Sequence, residues 1–161
     1  MRKQLSFVAF GDSLTVGFQS QTSNSFWPQT TPYTDFLKQK VETMLAEFRK
    51  AEAFMVQFHN RGVCGELTSD MLPRFKQDVL YLKPSHVVIL GGSNDIGWDV
   101  ATEEIFSNLK EMYWEAEENG IEPIACTVPS IIGFDMYIPP RMELNKLIMK
   151  HCHDKGIRCV D

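Results

Sequence analysis

Short apolar runs alternate along this chain with amphipathic segments, and few folds accommodate that pattern. Five runs have the length and the β-branched or aromatic content of buried strands: residues 4–10, 54–59, 86–90, 121–128 and 156–160. Between them, apolar residues recur at steps of three and four, as on one face of an amphipathic helix; one such set is Leu72, Phe75, Val79 and Leu82. Because strand and helix alternate, we expect an α/β fold in which helices cover both faces of a parallel sheet.

Capping residues and turn-rich stretches predict where elements begin and end. Thr102, which precedes two glutamates, is typical of an N-cap. Gly156 is typical of the position that ends a helix, and the pair Pro139–Pro140 of helix entry. The stretches 18–31 and 129–138 are predicted to be long loops, where ligand contacts often lie.

Composition argues against several classes of protein. With 161 residues, a net charge of -5 and no cluster of Lys and Arg, we expect a single domain over residues 1–161 that has no nucleic-acid partner. The apolar runs fall short of the ~18–20 residues that a membrane span needs. The four cysteines lack the spacing of a disulfide framework, and the first apolar stretch is too short for a secretory signal. We therefore expect reduced thiols and a cytoplasmic location.

Small and polar residues follow three successive strands at the point where each ends. They are Gly11, Asp12 and Ser13 after the first strand, residues 60–68 after the second and residues 91–95 after the third. In an open α/β sheet, ligands bind outside the carboxyl ends of the strands. If the three strands are neighbours, a spacing of ~4.8 Å brings these ends within roughly 5–10 Å of one another.

The residue types at these ends suit acyl transfer. Gly11 permits a tight turn, and Ser13 would stand where a helix starts, as a weak nucleophile that needs a base to take its proton. Gly65 leaves its N–H unobstructed and Asn94 carries an amide donor, so the two could form an oxyanion hole. Singly, each string also describes an ordinary turn, and Asn94–Asp95 a helix cap. Their occurrence at three successive ends favours a site.

Three segments resemble the first three sequence blocks of the GDSL/SGNH hydrolases: "FGDSLTVG" at 10–17, "NRGVCGELT" at 60–68 and "GGSND" at 91–95. The resemblance implies a flavodoxin-like α/β/α sandwich of three layers, with five parallel strands in the order 2-1-3-4-5. It implies Ser13 as nucleophile, supported by the turn at Gly11 and Asp12. The oxyanion hole would be the Ser13 N–H, the Gly65 N–H and the Asn94 side chain. The implied activity is hydrolysis of esters or thioesters without metal or organic cofactor.

The fourth block of that family, Asp-x-x-His after the fifth strand, does not occur in the sequence. We therefore expect the chain to be truncated at its C-terminus, with apolar sheet surface left uncovered and self-association as a consequence. Among the four histidines, His59 is the one candidate for a substitute base, since it lies near the end of the second strand. The alternative is that His59 is a partly buried, hydrogen-bonded residue at a strand end.

Three functions are compatible with the sequence. The first is a serine esterase, lipase or thioesterase for small to medium acyl substrates. The second is a phosphate or anion cradle formed by the turn after the first strand, although the P-loop and dinucleotide signatures are absent. The third is a non-catalytic or incomplete SGNH-like domain that lacks its base. Four aromatic residues could line an acyl pocket or pack beneath the loops as a satellite core: Phe26, Trp27, Phe134 and Tyr137.

Overall fold

A parallel five-stranded sheet forms the centre of the molecule. The computed structural model describes residues 3–19, 29–48, 53–130 and 135–161. The strands are β1 Lys3–Gly11, β2 Phe54–Gly62, β3 His86–Leu90, β4 Glu122–Cys126 and β5 Arg158–Val160. They lie in the order β2-β1-β3-β4-β5, and every neighbouring pair is parallel. The predicted α/β class and the order 2-1-3-4-5 are therefore confirmed.

Helices join the strands. They are α1 Ser13–Val16, α2 Tyr33–Glu47, α3 Thr68–Asp78, α4 Ser93–Gly97, α5 Thr102–Glu118 and α6 Ile138–Lys155. Short 3-10 turns occupy Leu80–Leu82 and Asp135–Tyr137, and Phe18–Gln19 pairs with Gln29–Thr30 in a small antiparallel ribbon. None of the helices in the described part of the chain is both long and apolar enough to cross a bilayer.

The main core lies between the sheet and the layer formed by α3, α5 and α6. Val8 and Phe10 alternate on β1 and are fully buried, as are Phe75 of α3 and Leu109 of α5. The rings of Phe10 and Phe75 meet edge to face with centroids 5.2 Å apart. Fully burying one such side chain is worth roughly 1.5–3 kcal/mol, so this layer holds the strand ends in place.

The opposite face of the sheet packs against α2 and leaves an apolar depression of about 800 Å³. Phe7 and Phe58 stack on its floor with ring centroids 4.7 Å apart. Phe36 of α2 and Val160 of β5 border it and are largely exposed.

The capping signals agree with the observed boundaries at α6 but not at α5. Gly156 takes a left-handed conformation, with φ 73°, and ends α6, while Pro139–Pro140 lie in the first turn of that helix, as predicted. The N-cap prediction for Thr102 is wrong: α5 begins with Thr102, and its hydroxyl donates to Glu143 of α6 at 3.4 Å instead of capping. The second strand also continues to Gly62, because residues 60–62 pair with the end of β1.

Candidate active site

The ends of three strands meet at one point of the sheet edge. Gly11, the last residue of β1, is the register partner of Gly62 at the end of β2 and of Leu90 at the end of β3. A Cβ on Gly11 would lie 2.2 Å from the carbonyl oxygen of Leu90, so only glycine fits between the flanking strands. The loops that the sequence singled out therefore start side by side.

The first loop is a tight turn that Asp12 organises. Asp12 is extended, with φ -93°, and its Oδ1 accepts a hydrogen bond of 2.9 Å from the N–H of Leu14. Its backbone carbonyl accepts from the N–H groups of Thr15 and Val16, each at 3.1 Å. Asp12 thus caps the single turn of α1, in the manner of an Asx N-cap.

Ser13 is the first residue of α1 and is half-buried. Within the described part of the chain, neither its hydroxyl nor its N–H has a hydrogen-bond partner. The first N–H groups of a helix have no partner within the helix, so this N–H is a donor available to a ligand. The turn therefore presents a hydroxyl and a backbone donor from one residue.

The second loop is fastened to the first by Asn60. The Asn60 side chain donates to the carbonyl oxygen of Thr15 at 2.6 Å and accepts from the N–H of Gly62 at 2.9 Å. Beyond this anchor the loop turns at Gly65, which is exposed and has φ 80°. That left-handed conformation costs glycine little and other residues more, and it is why the loop needs glycine at this position.

The third loop is joined to the second by Asn94, which lies in α4. Its Nδ2 donates to the backbone carbonyl oxygen of Glu66 at 2.8 Å. A side-chain amide has two hydrogens on nitrogen, and among the described residues the second one has no acceptor. Asn94 can thus hold the Gly65 loop and still donate to a ligand.

Asp95 holds the end of the second loop, where α3 begins at Thr68. It is almost fully buried and accepts from both the N–H and the hydroxyl of Thr68, the latter at 2.6 Å. Thr68 in turn accepts from the side chain of Asn108 at 3.1 Å. Asp95 is therefore a helix cap, as the sequence allowed, although it caps the start of α3 instead of its own helix.

Arg74 of α3 connects two of the loops and was missed by the sequence analysis. Its guanidinium bonds to the carboxylate of Glu66, to Asp78 at 2.8 Å and to the carbonyl oxygens of Arg61 and Gly11 at 3.0 and 3.1 Å. The i,i+4 spacing of Arg74 and Asp78 was the one signal in the sequence, and it is common on solvated helix faces. Arg74 is here a positioning residue, because it fixes the end of β1 relative to the Gly65 loop.

The carboxyl group of Asp12 is electrostatically unfavourable in its charged form. Burial raises its pKa to about 6, opposed by the hydrogen bond from Leu14 and reinforced by the negative charges of Asp95 and Glu66. Its Oδ2 is buried without a hydrogen-bond partner among the described residues. In mildly acidic solution, up to about pH 6, the turn that presents Ser13 therefore contains a carboxyl group that is still partly protonated.

The four histidines lie away from Ser13. His59 is the register partner of Val8, three residues before the end of β2, which corresponds to about 10 Å along the strand. His86 is the first residue of β3 and contacts Glu122 at 3.3 Å. His151 and His153 are in the last turns of α6, which leads to the amino end of β5. The structure thus brings together Ser13, Gly65 and Asn94 at the carboxyl edge, but not a histidine.

A cavity of about 260 Å³ opens beside Asn94, between α4 and α6. Asn94, Trp98, Tyr137 and Arg141 are among its lining residues. Tyr137 was one of the four aromatic residues predicted either to line an acyl pocket or to pack under the loops. Phe26, Trp27 and Phe134 lie outside the described residues.

Comparison with known proteins finds one family. The model of the GDSL-like lipase/acylhydrolase family matches residues 9–161. A curated relative is the uncharacterized lipoprotein YqeF of Bacillus subtilis, 32% identical over 133 residues. That match includes 78% of this chain and 49% of the lipoprotein, so the chain spans about half the length of the relative.

Solved structures share the fold over nearly the entire chain. The lipase/acylhydrolase from Enterococcus faecalis superposes with a TM-score of 0.78 at 26% identity, over 100% of this chain and 76% of that one. The acetylxylan esterase Axe2 from Geobacillus stearothermophilus gives a TM-score of 0.75 at 21% identity, over 98% and 75%. At that lower identity the similarity shows the fold alone.

Proposed function

Because the chain belongs to the GDSL-like lipase/acylhydrolase family, we propose that it hydrolyses ester or thioester bonds of small to medium acyl substrates through a nucleophilic serine, Ser13. The observation that carries the proposal is the pairing of Gly11 with both Gly62 and Leu90. That pairing sets the Ser13 turn between the loops of Gly65 and Asn94. A hydroxyl and three hydrogen-bond donors at one edge are the groups that acyl transfer needs apart from a base.

In the proposed reaction, Ser13 Oγ attacks the acyl carbonyl carbon while its proton passes to a base. The carbonyl oxygen becomes an oxyanion that accepts hydrogen bonds from the N–H groups of Ser13 and Gly65 and from the free hydrogen of Asn94 Nδ2. The tetrahedral species expels the alcohol or thiol, which takes up a proton, and leaves an acyl group on Ser13. Water then attacks the acyl-enzyme, releases the acid and returns the proton to Ser13.

The positions of the histidines favour a second candidate, an SGNH-like domain that binds esters with little turnover. A serine hydroxyl is a weak nucleophile until a neighbouring base takes its proton. His59 lies three residues inside β2, and the other three histidines are at the amino end of the sheet. Measurement of turnover distinguishes the two candidates. A covalent reaction that occurs once per protein molecule tests whether Ser13 is the nucleophile under either of them.

The test is covalent labelling with a fluorophosphonate, followed over hours and located by mass spectrometry. We expect label on Ser13 in the unaltered chain and in Ser69→Ala, a control that removes an exposed serine of α3. We expect none in Ser13→Ala. Label that persists in Ser13→Ala, or that is spread over several serines, would refute the assignment. Parallel assays with p-nitrophenyl acetate and a matched thioester would show which bond is preferred.

A further inference from the structure

The cavity beside Asn94 is lined, among the described residues, by one charged side chain, that of Arg141. It has a volume of about 260 Å³, slightly below the roughly 300–1,000 Å³ of sites for drug-sized ligands, so it suits a small group. Ser93 and Asn94 of α4 line one side, and Arg141 of α6 lines the other. A substrate whose carbonyl oxygen reached Asn94 would extend its far end toward Arg141.

Arg141 has no acceptor in the described part of the chain. Its side chain is partly buried, yet it forms neither a hydrogen bond nor an ion pair there. By contrast, Arg74 and Arg158 both contact carboxylates. A guanidinium offers five donors in a fork that matches carboxylate and phosphate groups. Arg141 therefore presents an unused recognition group to the cavity.

Helix stability does not account for a cation at this position. Arg141 lies in the first turn of α6, which contains no acidic residue. The amino end of a helix carries a partial positive charge, so a cation there is unfavourable and an anion favourable. That turn contains no acidic side chain to offset the charge of Arg141. A bound anion would supply the missing negative charge.

We infer that this cavity is a subsite for a small anionic group of the substrate, a carboxylate or a phosphate, bound by Arg141. The inference rests on the proposed ester hydrolysis and names its substrate class: short esters or thioesters with a negative charge a few bonds from the scissile carbonyl. Trp98 and Tyr137 line the same cavity and supply aromatic surface for the atoms between the two ends.

The first experiment measures binding without turnover. In Ser13→Ala protein, monomethyl succinate and methyl phosphate are titrated against the neutral dimethyl succinate, and tryptophan fluorescence is followed because Trp98 lines the cavity. We expect the anions to bind at least about tenfold more tightly than the neutral ester, the strength of a charge-assisted hydrogen bond. The tighter of the two anions identifies the group that the subsite prefers. Equal binding of neutral and anionic compounds would overturn the inference.

Variants assign the effect to Arg141. Arg141→Gln is expected to raise the Kd of the preferred anion about 10- to 100-fold. The Kd of Arg141→Lys should lie between those of wild type and Arg141→Gln, because lysine keeps the charge but lacks the forked donors of a guanidinium. The matched control is Lys146→Gln, which removes an exposed positive charge from the same helix and should change the Kd less than about twofold. An equal loss in Lys146→Gln would mean that only net charge matters, against the inference. Circular dichroism of each variant verifies folding.

Labelling of Ser13 keeps this inference separate from the proposed function. Loss of the fluorophosphonate reaction together with retained anion binding would refute the hydrolase and leave the subsite. Labelling of Ser13 without any preference for anions would support the hydrolase and refute the subsite. As a second readout, p-nitrophenyl hemiadipate should acylate Ser13 about tenfold or more faster than p-nitrophenyl heptanoate, and Arg141→Gln should remove that preference.

Discussion

The side-chain amide of Asn94 donates to the carbonyl oxygen of Glu66 at 2.8 Å. This bond joins α4 to the loop that contains Gly65, so one side chain both shapes the proposed oxyanion hole and contributes to it. The second hydrogen on Asn94 Nδ2 has no acceptor among the described residues and can serve a developing oxyanion.

Asn94→Ala should therefore slow the reaction of Ser13 much more than it weakens binding. We expect the maximal labelling rate by fluorophosphonate to fall by about 10²–10³, with little change in the concentration for half-maximal rate. Asn119→Ala is the matched control, since Asn119 also donates to a backbone carbonyl, at 2.8 Å, but lies at the far end of α5. A change in half-maximal concentration alone would make Asn94 a binding contact only.

Arg74 should contribute more to stability than an ordinary surface ion pair. Its side chain is 17% exposed and that of Glu66 14%, whereas Arg158 and Glu122 are 67% and 44% exposed. Because Arg74→Gln leaves a largely buried carboxylate without its partner, it should lower the free energy of unfolding by about 1–3 kcal/mol. Arg158→Gln, the matched control, should cost about 0–1 kcal/mol in urea titrations. Equal losses of unfolding free energy in the two variants would show that burial of Arg74 does not increase its contribution to stability.

The parts of the site that sequence could predict are local, and the parts it missed are tertiary. Ser13, Gly65 and Asn94 each lie within six residues after an apolar run, so the ends of strands could be found from short stretches. The role of Arg74 depends on Gly11, Arg61 and Glu66, which are 8 to 63 residues away in the chain. Asp95 similarly bonds across 27 residues to Thr68, and no local pattern encodes such a contact.

The fold was predictable for a related reason. Val8 and Phe10 of β1 and the run Val87–Ile89 of β3 are apolar because helices cover them, so hydrophobicity alone located these strands. Residues 60–62 were assigned to a loop because their side chains are polar, yet their backbone pairs with β1 through Gly11. Backbone pairing leaves little trace in side-chain composition at the last residues of an edge strand.

Asp12 should make the protein less stable as pH rises from about 4 to above 6. Its pKa is raised from 3.8 to about 6 by burial, so in this range the folded state holds a proton that the unfolded state has lost. The stabilising effect of that proton is complete below pH 3.8 and is lost as pH rises through the folded value. Between pH 4.5 and 8 we expect wild type to lose about 2 kcal/mol more unfolding free energy than Asp12→Asn, which stays neutral.

Urea titrations at the two pH values measure that difference directly. Asn keeps an oxygen that can accept from the N–H of Leu14, so the turn itself should survive the substitution. The matched control is Asp35→Asn, which removes an exposed carboxyl of α2; an equal change in that variant would mean that the loss of any carboxyl charge produces the effect. If Asp12→Asn and wild type changed in parallel, the carboxyl of Asp12 would have to ionise equally in both states.

The 161-residue chain should turn over p-nitrophenyl acetate very slowly, because no histidine lies beside Ser13. An oxyanion hole and binding alone leave a residual acceleration of roughly 10³–10⁴ over water, far below the roughly 10⁶–10¹⁷-fold acceleration of ordinary enzymes. Added imidazole can take the proton of Ser13 from solution, so the rate should rise with imidazole in wild type and not in Ser13→Ala after the imidazole blank is subtracted. His59→Ala should leave both rates unchanged, since His59 is three residues inside β2. Ordinary turnover that His59→Ala abolished would instead identify His59 as the base and require the end of β2 to move toward Ser13.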